Sequence, residues 1–166
     1  AADLRRMSDA VMDLRARHDV VFTQDGHRDG SIAYAQELGI AGPFALFSHS
    51  VDLTAEDIAA LKQSGAAVAH NPSAIMSILG RCPVPELIDS GVCVALGSDA
   101  AAPDRGYDMF RHMAQCMHYH RRHFADPSVL PPGKVLEMAT IDAARALGLA
   151  DEIGSLEVGK KADVVL

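Results

Sequence analysis

Four short apolar segments of this chain run into side chains that can hold a metal ion or move a proton. Residues 19–24 end in Gln24, with His27 just beyond. Residues 44–48 are followed by His49, residues 66–69 by His70 and Asn71, and residues 92–96 by Asp99. Imidazole and carboxylate ligate divalent metals and serve as general acids and bases. An apolar strand has no intrinsic reason to end in them, so their recurrence predicts a site built from several strand ends. A different grouping lies further along. His112, Cys116 and His120 are spaced i, i+4, i+8 and would share one face of a helix. Phe110, Met113, Met117, His120 and Phe124 form an equally good buried stripe, and packing is the preferred reading, with Met109, Met113 and Met117 as core and Arg121 and Arg122 on a solvated face. His118 and His120 are two apart and do not face the same way on a helix.

The elements that must position these residues follow from periodicity. Leu4, Met7, Val11 and Leu14 predict an amphipathic helix over residues 2–17. Helices are expected over 31–38, over 54–63 behind a Thr54 cap with Glu56 and Asp57 in its first turn, and over 83–90, 107–124, 133–140 and 141–147. Between them lie the four apolar segments, read as strands without strict alternation. Such strands suit a parallel sheet covered on both faces. A doubly wound sheet and a (β/α)8 barrel both give this α/β pattern, and both place chemistry at the C-terminal ends of their strands.

Composition narrows the classes. The chain has 166 residues, 49% hydrophobic and 22% charged, the balance of one globular domain, and aromatics are only 5%. Its net charge of −7 argues against nucleic acid or an anionic membrane surface as partner. No apolar run approaches the roughly 20 residues that span a bilayer. Cys82, Cys93 and Cys116 are an odd, widely spaced set, which argues against a disulfide framework and favours a reducing cytoplasm.

Four motifs then occur in order: Phe47-Ser-His-Ser-Val-Asp-Leu-Thr54, Val68-Ala-His-Asn-Pro-Ser73, Pro83-Val-Pro-Glu-Leu87 followed by Val94-Ala-Leu-Gly-Ser-Asp99, and a C-terminal run from Ala139-Thr140 through Ile153-Gly-Ser-Leu-Glu-Val-Gly-Lys-Lys-Ala-Asp163. Together they resemble the amidohydrolase superfamily, nearest the branch of triazine hydrolases, cytosine and guanine deaminases and S-adenosylhomocysteine deaminase. The resemblance covers residues 39–166. It implies the C-terminal half of a (β/α)8 barrel, with the four strands as strands 5 to 8. Residues 1–166 are then expected to be a single partial barrel domain cut at both ends, with a last strand over 162–166.

The resemblance also implies roles. Asp99 matches the strand 8 aspartate, a metal ligand and proton shuttle. His49 matches the strand 6 histidine that stabilises the transition state. A divalent metal, zinc first and iron second, is implied, along with hydrolysis of a C–N or C–halogen bond on a small heterocyclic substrate. A divalent ion lowers the pKa of bound water from about 16 toward 7. His70, Asn71 and Ser73, with the loop to Arg81, are expected at the substrate. Two departures stand out. The family's strand 5 His-x-x-Glu is Gln24-Asp-Gly-His27 here, which puts Gln24 in the ligand position and His27 in place of the glutamate. Glutamine is a poor zinc ligand, so His27 is the alternative. The strand 1 His-x-His has no counterpart, so the metal is expected to be held incompletely or to be absent from this chain.

Two rival readings remain. One is imidazolonepropionase-like ring opening; dihydropyrimidinase-like chemistry is disfavoured because its strand 4 lysine is missing. The other is an inactive structural fragment. Four strands taken from a barrel leave two open edges and an uncovered inner face, where Val20, Phe22, Leu46, Val68, Val92 and Val94 are expected to meet water. A homodimer, or completion by an N-terminal half, is the expected remedy.

Overall fold

The computed structural model describes residues 2–27, 30–74, 79–100 and 106–165. A long helix α1 (Ala2–His18) leads into β1 (Phe22–Gly26), and α2 (Ser31–Glu37) carries the chain to β2 (Ala45–His49). Then follow α3 (Ala55–Ser64), β3 (Ala67–His70), the single turn α4 (Pro72–Ala74), α5 (Val84–Asp89) and β4 (Val94–Leu96). Three helices close the order: α6 (Met109–Phe124), α7 (Pro132–Ala139) and α8 (Ile141–Ala146). The four strands are parallel and lie in the order β1-β2-β3-β4. This is the partial barrel that the motifs imply, a run of βα units whose strand ends all point one way.

The first strand differs from expectation. It pairs from Phe22↔Ala45 to Gly26↔His49, starting three residues and ending two residues later than the sequence pattern suggests. Asp19 is left-handed at φ 47° just beyond α1, and Val20 lies half exposed in the connection instead of in the sheet. The shift brings Asp25 into the ladder.

The sheet's two faces also divide differently. Val68, Val92 and Val94 are buried in the main core with Phe47, Ile32, Leu61 and Leu87, on the helix side. Alternation sends Ala67, Ala69 and Ala95 the other way, because successive residues of a strand point to opposite faces. There Ala67 and Ala95 pack with Ala143 and Ala146 of α8, beside Leu46 and Cys93. The face expected to expose valines therefore carries alanines beside Leu46 and is partly covered by α8. The expected strand over 162–166 does not form: its described residues are irregular and Val164 and Val165 are exposed, with no neighbouring strand among the described residues to pair with.

One buried carboxylate organises two helices. Thr54 caps α3 in a capping box, its Oγ1 accepting from Asp57 N at 3.1 Å while Asp57 Oδ2 accepts from Thr54 N at 3.0 Å. The other oxygen, Oδ1, accepts from Ile32 N and Ala33 N at 3.0 Å each, in the first turn of α2. The α2 cap position is Gly30, which has no side chain to do this. Among the described residues no helix is long and apolar enough to cross a membrane.

Candidate active site

The strand ends bring four titratable side chains together. His49 ends β2 and Asp99 follows β4, each with a left-handed backbone, φ 62° and 61°. That conformation costs a non-glycine residue roughly 1–2 kcal/mol, and here it turns both side chains out of the sheet's alternation. His49 Nε2 lies 3.7 Å from Asp99 Oδ2 and 3.9 Å from Asp25 Oδ1. His27 Nε2 lies 3.7 Å from Asp25 Oδ2, and the His27 and His49 rings stack with centroids 6.4 Å apart. His49 is nearly buried, whereas Asp25 and His27 are open to solvent.

His49 is held from behind. Asn71 Nδ2 lies 3.3 Å from His49 Nδ1 and donates to Ser48 Oγ at 2.9 Å. An amide N–H directed at Nδ1 makes that nitrogen the acceptor, so the ring's proton sits on Nε2, facing the two carboxylates. Gly97 makes room for this arrangement: a Cβ there would overlap Asn71 Oδ1. The neighbouring loop is braced as well. Asp52, at φ 48°, donates its N–H to Arg81 O at 2.7 Å and accepts from Arg81 N at 3.2 Å.

Several expected residues lie elsewhere. Gln24 points away from this cluster into an open cavity of about 370 Å³, walled by Leu4, Met7, Val11, Phe22 and Tyr34. Strand alternation forbids Gln24 and Asp25 from facing the same side. Asp25, and not Gln24, therefore faces His49. The shift of β1 would have revealed it; the alignment of Gln24-Asp-Gly-His27 concealed it. Asn71 touches His49, but His70 does not join the mouth. It is fully buried against α6, and burial, followed by the nearby imidazoles of His120 and His49, holds its pKa well below 6.5. Ser73 is buried too, donating to Gln115 Oε1 at 3.0 Å and lying 2.8 Å from His112 Nδ1. It ties α4 to α6. Of the loop from Ser73 to Arg81, residues 75–78 lie outside the described residues.

Residues 19–166 match the model of the amidohydrolase family. The chain belongs to that family. It is 38% identical over 152 residues to a 5-methylthioadenosine/S-adenosylhomocysteine deaminase of Syntrophobacter fumaroxidans, covering 91% of this chain and 34% of the relative. It is 34% identical over 134 residues to a 5'-deoxyadenosine deaminase of Methanobrevibacter smithii, covering 80% of this chain and 31% of that protein. Among solved structures, a zinc-bound adenosine deaminase of Xanthomonas campestris superposes with a TM-score of 0.87 at 27% identity, covering 96% of this chain and 39% of that one. A zinc complex of atrazine chlorohydrolase from Arthrobacter aurescens gives a TM-score of 0.80 at 25% identity, covering 96% of this chain and 38% of that one. The chain thus spans about a third of the length of the curated relatives it matches.

The donor chemistry at the mouth suits a divalent ion in part. Carboxylates and imidazoles are proper ligands for zinc, and Asp99, Asp25 and His27 surround His49 at the open end of the sheet. A catalytic zinc takes three protein ligands. No three of these donors lie mutually within 4.8 Å, so the described residues supply part of a set.

Proposed function

We propose that this chain forms the strand 5 to 8 half of a metal-dependent deaminase that replaces the exocyclic amine of an adenine-type nucleoside with oxygen. The observation that carries the reading is the meeting of His49, Asp99 and Asp25 at the strand ends in a chain whose relatives bear the names of adenosine-type deaminases. Asp99, with Asp25 or His27, would hold the ion. Bound there, a divalent ion would supply a water acidic enough to lose a proton near neutral pH. Asp99 accepts that proton and returns it to the leaving amine, a role that needs a carboxylate near both groups. His49, with its proton fixed on Nε2 by Asn71, donates toward the charge that develops on the ring. Zinc is favoured over iron because the similar solved structures hold zinc.

The test is reconstitution. The chain is co-expressed with the N-terminal remainder of the Syntrophobacter relative, loaded with zinc, and offered adenosine, 5-methylthioadenosine, S-adenosylhomocysteine and atrazine. Ammonia release from the nucleosides, lost in Asp99→Asn, is expected. Chloride release from atrazine with no ammonia from any nucleoside would overturn the substrate class. A folded, zinc-loaded hybrid with no turnover would overturn the enzyme reading.

A further inference from the structure

On the helix side of the sheet, behind the mouth, lies a second convergence of ligating atoms. His70 leaves the end of β3, and Cys116 and His120 stand one turn apart on α6. One ligating atom from each lies within 4.8 Å of the others, and all three residues are fully buried. The His70 and His120 rings have centroids 5.4 Å apart and are tilted by 57°. Both nitrogens of both rings are buried without a hydrogen-bond partner among the described residues. Buried polar atoms are nearly always satisfied, by protein, by water or by an ion. Four such nitrogens around one thiol is an arrangement that packing alone does not explain, because two leucines would fill the same space with no polar atom left over.

The helix face is itself informative. Sequence periodicity allows α6 to bury either Phe110 and Phe124 or the stripe His112, Cys116, His120. The structure buries the second, while Phe110 and Phe124 stay exposed at 67% and 41%. Ser73 bonds to Gln115 and contacts His112, which fixes the rotation of α6 and so aims Cys116 and His120 at His70.

We propose that His70, Cys116 and His120 form a second, buried site for a zinc-type divalent cation, distinct from the mouth. One thiolate and two imidazoles select zinc and its stand-in cobalt over magnesium or calcium, which prefer oxygen. The three protein donors leave the fourth position of a tetrahedral ion to a small ligand such as water. Without an ion, burial pushes the Cys116 thiol up to about 12, and burial, then the charge of Arg81, drops His120 to about 4. Both imidazoles are therefore neutral and ready to ligate at neutral pH. Only Cys116 must lose its proton, so one proton leaves per ion bound. The site holds the C-terminal end of β3 against α6 and does not depend on the deaminase reading.

Cobalt provides a readout that the mouth cannot imitate, since Asp25, His27, His49 and Asp99 contain no sulfur. The purified chain, carrying Asp99→Ala to weaken the mouth, is refolded from denaturant with cobalt(II), because a fully buried site loads during folding. One cobalt per chain with a near-ultraviolet thiolate-to-cobalt charge-transfer band is expected. Cys116→Ser, which keeps the side chain's size, should abolish the band, whereas Cys93→Ala should keep it. His70→Ala and His120→Ala should each weaken binding by more than about a hundredfold, beyond the scale of outer-shell changes. Circular dichroism establishes that each variant is folded. A folded parent chain that binds no cobalt, or a band that survives Cys116→Ser, overturns the site.

Discussion

Replacing Asp57 should damage this protein as severely as truncating a core leucine, a change that costs about 2–5 kcal/mol. The carboxylate is fully buried and accepts four hydrogen bonds: Ile32 N and Ala33 N on Oδ1, Thr54 N and Thr54 Oγ1 on Oδ2, each at 3.0 Å. In Asp57→Ala the first turn of α2 loses its only side-chain acceptor among the described residues, and Ile32 there is fully buried. Each buried donor left unmet costs about 1–3 kcal/mol. The Thr54 capping box loses its reciprocal half, worth about 1 kcal/mol. Two such donors and the cap sum to about 3–7 kcal/mol, against a total stability of about 5–15 kcal/mol for a domain. Urea unfolding followed by far-ultraviolet circular dichroism, at one fixed protein concentration, measures it. Asp57→Asn keeps one acceptor oxygen and should lose about half as much, whereas Thr54→Ala should lose only about 1 kcal/mol. An Asp57→Ala variant within about 1 kcal/mol of the parent would refute the double-cap reasoning.

Three further outcomes are expected. Gly97→Ala should push Asn71 off His49, lowering the turnover of the reconstituted deaminase while costing the fold about 1–3 kcal/mol through overpacking; unchanged turnover would show that His49 needs no support from Asn71. Burial alone would raise the Glu86 carboxyl, but the hydrogen bond and charge of Arg81 outweigh it and set the pKa below 4.5. A lowered folded pKa adds stability above the unfolded value that is lost as pH falls through the folded one. Glu86→Gln should thus cost about 0.5 kcal/mol at pH 7, discounted for partial exposure, and cost nothing once the pH is well below 4.5; equal costs at both pH values, read by urea titration, would contradict this. Among the described residues β1 and β4 have strand neighbours on one side only, so the chain should associate at low micromolar concentration; sedimentation as a stable monomer of 17.6 kDa would show that its edges are tolerated.

Much of the fold was readable because its signals are local. The α1 stripe, the Thr54 cap and the order of βα units depend on residues a few positions apart. The strand-end motifs named Asp99, His49 and His27, three of the four groups that meet at the mouth. Asp25 was missed because strand register is set by the neighbouring ladder, and a small shift exchanges the faces of Gln24 and Asp25. The valines were placed on the wrong face for a related reason: an apolar run lacks the alternation that would declare which side holds the helices. His70 was read with Asn71 as a pair, although adjacent strand residues point apart. The second cap role of Asp57 joins residues about 25 apart, and no local pattern encodes it.

The sheet is laid down strictly in sequence order. Phe22 meets Ala45, Leu46 meets Ala67 and Val68 meets Val94, so each pairing closes a loop of only 23, 21 or 26 residues. Among the described residues no strand pairs with a distant one. Loop-closure entropy rises slowly with length, and chains rich in such near contacts fold faster than those that pair remote strands. Each completed βα unit also presents the edge on which the next can assemble. A barrel grown this way can be divided between two strands without separating any strand from the segment that covers it. Its halves can therefore be inherited, exchanged or recombined as units, with the catalytic mouth as the one place where they must still agree.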